Sequence, residues 1–158
     1  MGYWNNIEAT GERFKQLPPM TSDQVFPEIA VFSGDTVRMD EEGFLYFIGR
    51  RDEMIKTSGY RVSPTEVEEV LYSTQMIGEC VAFGVEDERL GQSIQVIVTA
   101  PDNGDLDAAA LLGECRRRMP AYMVPAGISL QKAPLPRNPN GKIDRKLLST
   151  VWIEQNTA

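Results

Sequence analysis

The chain has 158 residues, of which 42% are hydrophobic and 25% charged, and its net charge is −7. That length holds one ordinary domain with a core, or one domain and part of another, and the acidic balance argues against a nucleic-acid or anionic-membrane surface. There is no histidine, so the commonest metal ligand and the usual general base are missing, and no metal site is expected.

Residues 1–24 read as polar and irregular, with Pro18-Pro19 breaking any helix. Val25–Phe32 and Thr36–Met39 read as strands, Asp40-Glu-Glu-Gly43 as a turn, and Phe44–Ile48 as a short apolar strand. A β-meander with no covering helix is the expectation, and fewer than about 50 residues of strand make a poor independent core. Its unpaired edges allow self-association through residues 1–51. After Arg51 the pattern changes. Ser63-Pro64-Thr65-Glu66 is a capping box with proline at the first helical position, predicting a helix to about Ser73 with Val67, Val70 and Leu71 as its apolar stripe.

Cys80–Val85 and Ser93–Ala100 read as strands around the loop Glu86–Gly91. Pro101-Asp-Asn-Gly104 turns the chain, and Asp107 caps a helix with Leu111, Leu112 and Cys115 inward, ended before Pro120. The run Arg116-Arg117-Arg118 falls at that helix's C-terminus, where cations complement the dipole. Cys80 and Cys115 show no metal-ligand spacing and read as buried, inert thiols, which implies a reducing, cytoplasmic setting. Ile128–Lys132 is a further strand. No run approaches the roughly 20 apolar residues of a membrane span. Strands alternating with helices make residues 52–158 a compact α+β domain, so the boundary falls near Asp52.

The last quarter holds Arg137-Asn-Pro-Asn-Gly-Lys-Ile-Asp-Arg-Lys146. Asn138-Pro139 and Asn140-Gly141 are strong turn formers, and Asp144 is an N-cap for a helix through about Trp152. The turn presents Lys142, whose ammonium suits a phosphate or carboxylate as a point charge. Earlier comes Gly49-Arg-Arg-Asp-Glu-Met-Ile-Lys-Thr-Ser-Gly-Tyr-Arg-Val-Ser-Pro-Thr-Glu-Val-Glu68. These two segments, in this order, with Gly2-Tyr-Trp-Asn-Asn, Ser33-Gly34-Asp35 and Pro120-Ala-Tyr-Met-Val-Pro125, resemble the C-terminal end of the adenylate-forming enzymes. That superfamily holds acyl-CoA synthetases, peptide-synthetase adenylation domains and firefly luciferase.

The resemblance covers nearly the whole chain. It implies that residues 1–51 are the last β-rich strip of a large N-terminal domain, and residues 52–158 the small C-terminal domain. It implies Lys142 as the adenylation lysine, Asp35 as the acceptor of the ATP ribose hydroxyls, and Arg50 as a nucleotide contact. It further implies Asp52 as the hinge between two active conformations, and Ser58, Gly59 and Tyr60 along the tunnel for the pantetheine of CoA or a carrier protein. Lys56 and Arg61 face the nucleotide in one of the two states, or are solvated charges. Tyr60 and Val62 read as core or tunnel wall.

The implied reaction is that of an AMP-forming acyl-CoA synthetase, with ATP, Mg²⁺ and CoA, the Mg²⁺ held mainly by the large domain. The large domain of the same enzyme is the implied partner, because its phosphate loop and acyl pocket have no counterpart in these residues. The chain by itself is therefore expected to be inactive. The alternatives are a peptide-synthetase adenylation domain, which shares the Asn-Gly-Lys-Ile-Asp-Arg ending, and a free-standing, non-catalytic binding module.

Overall fold

A computed structural model describes residues 2–17, 28–101 and 104–156. The chain divides into two compact units, residues 1–52 and 53–158. Pro18-Pro19, the first residues of the strand expected from Val25, and the middle of the Pro101–Gly104 turn lie outside the described residues.

The first unit opens with helix α1, Ile7–Arg13, where the sequence reads as irregular. The Asn6 side chain accepts the Ala9 N–H at 3.0 Å, which caps a helix too short to show an apolar stripe. Tyr3 N–H donates to Thr10 Oγ1 at 2.9 Å and ties the preceding residues to the same turn. Strands β1 (Phe14–Gln16) and β2 (Ile29–Val31) form one antiparallel pair, and β3 (Asp35–Met39) and β4 (Leu45–Arg50) another. The expected Asp40–Gly43 turn joins β3 to β4. Asp40 Oδ1 accepts the N–H groups of Glu42 and Phe44, and Asp40 Oδ2 accepts the Tyr46 hydroxyl proton at 2.8 Å. Val37, Met39, Phe44, Leu45, Tyr46 and Phe47 remain exposed on this hairpin.

The second unit carries the core. Strands β5 (Ile55–Thr57) and β6 (Tyr60–Val62) form a hairpin, followed by α2 (Pro64–Ser73), β7 (Cys80–Asp87), β8 (Gly91–Thr99), α3 (Ala108–Arg118), a 3₁₀ turn (Ala121–Met123), β9 (Gly127–Gln131) and α4 (Arg145–Asn156). Strand β8 is central. It runs antiparallel to β7 over Cys80–Asp87, and its other edge is shared by β9, parallel, and by β5 at Thr57↔Gly91.

Alternation along β7 sends side chains to both faces, as the strand pleat requires. Cys80 and Ala82 join Ile94, Val96 and Val98 against Val67 and Leu71 of α2 and Leu111 and Cys115 of α3. Val81 and Phe83 join Ile97 on the opposite face, against Leu135 and Leu148 with Trp152 of α4. The sheet is therefore covered by α2 and α3 on one face and by α4 on the other. Burial of large aliphatic side chains on both faces, at about 1.5–3 kcal/mol each, gives this unit a core that the described residues of the first unit do not form.

The helix starts are local. Ser63 N–H donates to Glu66 Oε2 at 3.2 Å at the head of α2, and Asp107 Oδ1 accepts from Ala109 and Ala110 at the head of α3. Asp144 Oδ1 accepts from Leu147 N–H at 3.0 Å and starts α4, which runs four residues past the expected end at Trp152.

Candidate functional site

In the first unit three of the expected residues meet. Asp35 and Arg50 are cross-strand partners on β3 and β4. The Arg50 guanidinium lies 3.6 Å from Asp35 Oδ1 and 3.2 Å from Asp52 Oδ1. The hydrogen bond from Arg50 holds the Asp52 carboxyl below the usual carboxylate range, since an adjacent donor favours the charged form. Arg50 thus joins the expected ribose acceptor to the expected hinge residue.

Beside them is a concavity of about 530 Å³, lined by Arg13, Lys15, Phe32, Gly34, Asp35 and Arg51 among others. Arg13, which the sequence reading passes over, donates to the carbonyls of Phe32 and Ser33 and shapes this wall. Its position at the end of a short helix gives no local signal of that contact, because its partners lie 19 and 20 residues away.

In the second unit Ser58 and Gly59 are the two central residues of the β5–β6 turn, at φ +51° and +81°. Positive φ at both positions marks a type I′ turn, the connection whose twist matches its flanking strands. Open space surrounds the point where a Cβ on Gly59 would sit. Glycine is thus favoured there by backbone conformation, and a side chain at that point would meet open space. The hairpin is strapped to the sheet by Ser58 N–H to Leu90 C=O at 2.8 Å and by Lys56 N–H to Gln92 Oε1 at 2.9 Å.

Lys56 and Arg61 are cross-strand partners, both exposed on the outer face of the hairpin. Two cations directly opposite each other repel, and an anion between them would relieve that repulsion. Val62 is core, 1% exposed. Tyr60 is not: it is 53% exposed, and its ring stacks on Tyr122 at 4.0 Å and 9°. Tyr60 shares the core-facing side with Thr57, but it opens the edge strand β6, and one face of its ring is covered by Tyr122 of the Pro120–Pro125 segment.

Lys142 sits on a pinned loop. Asn138 Oδ1 accepts the N–H groups of Asn140 and Lys142, at 3.0 and 3.1 Å. Asn138 N–H donates to Lys142 C=O at 2.8 Å, and Gly141 N–H to Asn138 C=O at 2.9 Å. Gly141 takes φ +80° to close this turn, as Asn-Gly predicts. Arg137 and Ile143 form an antiparallel bridge at the base. The Lys142 side chain is exposed and has no hydrogen-bond or ion-pair partner among the described residues.

Immediately after the loop, Arg145 of α4 makes two hydrogen bonds to Glu68 of α2, at 2.9 and 3.1 Å, and an ion pair with Glu53. Glu68 Oε1 also accepts the Ala82 N–H at 2.8 Å. The two cysteines are buried and free. Burial, and then the nearby Glu68 carboxylate, push the Cys80 thiol up to about 12, and burial raises Cys115 as well. Buried thiols held protonated are poor nucleophiles. Among the described residues no Cys, Asp and Glu side chains cluster to hold a metal, and no helix is long and apolar enough to cross a membrane.

These features define a small α+β module that presents one lysine on a rigid turn and one glycine-tipped hairpin. Residues 66–142 match the AMP-binding enzyme C-terminal domain, and the chain belongs to the adenylate-forming enzymes through that domain. It is 35% identical over 147 residues to the long-chain-fatty-acid–CoA ligase of Bacillus subtilis strain 168, covering 93% of this chain and 24% of that protein. It is 33% identical over 147 residues to tyrocidine synthase 2 of Brevibacillus parabrevis, covering 93% of this chain and 4% of that protein. Among solved structures, o-succinylbenzoate CoA synthetase from Bacillus subtilis, in complex with its acyl-adenylate intermediate, superposes with a TM-score of 0.77. That match has 28% identity and covers 93% of this chain and 27% of that one. The chain thus spans about a quarter of the length of the CoA ligases it resembles.

Proposed function

We propose that the chain is the C-terminal portion of an AMP-forming acyl-CoA synthetase, with residues 1–51 the end of its large domain and residues 52–158 its mobile small domain. A carboxylic acid attacks the α-phosphorus of MgATP, forming an acyl-adenylate and releasing pyrophosphate. The CoA thiol then attacks the acyl carbon, and AMP departs with the bonding pair. The observation that carries this reading is Lys142, a cation without a partner among the described residues on a loop backbone held by four hydrogen bonds. As the first step proceeds, negative charge grows on the phosphoryl oxygens and the departing pyrophosphate. A pre-placed ammonium stabilises that charge at no reorganisation cost.

In this reading Asp35 accepts the ribose hydroxyls beside the 530 Å³ concavity, and Arg50 contacts the nucleotide while holding Asp52, the hinge. Lys56 and Arg61 offer paired positive charge to a phosphate in one of the two states. Ser58, Gly59 and Tyr60 border the pantetheine path, where the open surroundings of Gly59 leave room for a thin chain. The exposed apolar side chains of the β3–β4 hairpin suit burial against the rest of the large domain, which supplies the acyl pocket. The likeness to tyrocidine synthase 2, at an identity close to that of the CoA ligase, favours a second reading. There the first step is the same and the acceptor is a carrier-protein pantetheine.

The test is ATP–pyrophosphate exchange with a panel of carboxylic acids. The chain alone gives none. Joined in frame to the large domain of an AMP-forming ligase it supports exchange, and Lys142→Ala lowers that exchange by about 10²–10³-fold. Thioester formation from supplied acyl-adenylate persists in the variant. Exchange by the chain alone above the Lys142→Ala background, or undiminished exchange in the joined variant, refutes the proposal.

A further inference from the structure

The Lys142 loop is fixed internally by Asn138, but that fixes only its shape, not the direction in which the loop stands relative to the sheet. The aim comes from outside. Glu79, just before β7, has its N–H bonded to Thr99 Oγ1 at 2.8 Å and its carbonyl to Thr99 N–H at 2.9 Å. Its backbone is therefore part of the sheet edge. One carboxylate oxygen of Glu79 accepts the Leu135 N–H at 2.9 Å, and the other pairs with Arg137 Nη2. Arg137 Nη1 in turn donates to the Gly141 carbonyl at 2.8 Å. That carbonyl belongs to the peptide bond that leads into Lys142.

We propose that Arg137 is a positioning residue for Lys142, transmitting the orientation of the β-sheet through Glu79 to the Gly141–Lys142 peptide. The inference rests on the function proposed above for Lys142. Arginine suits the task because its planar fork reaches two acceptors at a fixed angle. Lysine could reach only one of them at a time. The fork leaves the ammonium of Lys142 unencumbered while restricting the arc through which its Cα can move. A residue that holds the reacting cation within a fraction of an ångström can matter strongly to a step that depends on alignment.

Two measurements separate this role from a purely structural one. In the chain itself, ¹⁵N relaxation and hydrogen exchange of Gly141 and Lys142 report loop order. Arg137→Met should loosen these amides, with protection falling about tenfold as a charged hydrogen bond is lost, while amides of β7 and β8 keep theirs. In the chain joined to a large domain, Arg137→Met should lower kcat for adenylation at least tenfold, with KM for the acid and for ATP unchanged, and leave the thioester step intact. Arg137→Lys should restore part of the lost rate, and Glu79→Gln should mimic Arg137→Met more weakly.

An ordered loop in Arg137→Met overturns the proposal. A loosened loop with unchanged adenylation overturns it too, provided Lys142→Ala still abolishes the reaction. If Lys142→Ala itself leaves adenylation intact, the proposed function falls, and the aiming of a catalytic lysine falls with it. The relaxation data then still report whether the clamp holds the loop.

Discussion

Removing Arg145 should destabilise the second unit measurably. Its guanidinium makes two hydrogen bonds to Glu68 and an ion pair with Glu53, and the Arg145 and Glu68 side chains are only 25% and 14% exposed. Arg145→Met keeps most of the aliphatic stem and deletes the charge. Among the described residues Glu68 then keeps only the Ala82 N–H as a fixed donor in a largely buried place. Hydrogen bonds to charged groups contribute about 1.5–3 kcal/mol each, and breaking a fully buried pair costs about 3–5 kcal/mol. Two effects reduce the sum here. Glu53 is 43% exposed, so solvent screens its pairing, and Arg145 Nε is buried without a partner, a cost the substitution removes. A net loss of about 2 kcal/mol follows, lowering Tm by about 8–16 °C for a unit of this size. Thermal unfolding followed by circular dichroism reads it. Arg145→Met/Glu68→Gln should recover part of the loss, since the charge left without Arg145 is then only the more exposed Glu53. A shift under about 2 °C for Arg145→Met, or a double variant worse than the sum of the singles, would refute the assignment of the Arg145–Glu68 pair as a stabilising clamp.

Two further outcomes are expected. Gly59→Asn should fold nearly as well as the parent, because asparagine tolerates positive φ, whereas Gly59→Leu adds a left-handed strain of about 1–2 kcal/mol. In the chain joined to a large domain both should impair thioester formation and spare adenylation, so an unimpaired Gly59→Asn would make Gly59 a turn residue only. Cys80 gives a pH dependence. Its folded thiol is raised to about 12, so its contribution is full below the ordinary thiol value of about 8.5 and is lost as pH rises toward the folded value. Over that window the parent should lose about 1.4 kcal/mol per pH unit more than Cys80→Ala. Urea unfolding at several pH values checks it, and a pH-independent gap between the two proteins counts against a buried, protonated thiol.

What could be read from the sequence was what is encoded locally. The Ser63–Glu66 box, the Asp107 cap and the Asn-Gly turn each involve partners within four residues, and each appears where its spacing predicts. The long strands β7 and β8 were legible from their apolar runs, although the covering of both sheet faces was not, since alternation of two apolar sets reads like a continuous run. Helix α1 was missed because it has seven residues, a single side-chain cap and no buried face. The β5–β6 hairpin was missed because its three-residue strands are too short for alternation to register, and its Ser58-Gly59 turn lacks the usual Asn or Asp.

The candidate site divides along the same line. Lys142 could be picked out, because the turn that exposes it is written in consecutive residues. What orients it could not, because Glu79 lies 58 residues from Arg137, and Glu68 lies 77 from Arg145. A sequence displays charges but not their pairings, and this chain has 16 basic and 23 acidic residues to combine. The arginines on either side of Lys142 both reach glutamates tied to the sheet, one by its backbone at Thr99, the other by its carboxylate at Ala82. The lysine loop is thus held at its entry and its exit by the same rigid body. In the function proposed for Lys142, the small domain swings as a unit, and play between loop and sheet would add directly to the error of that swing.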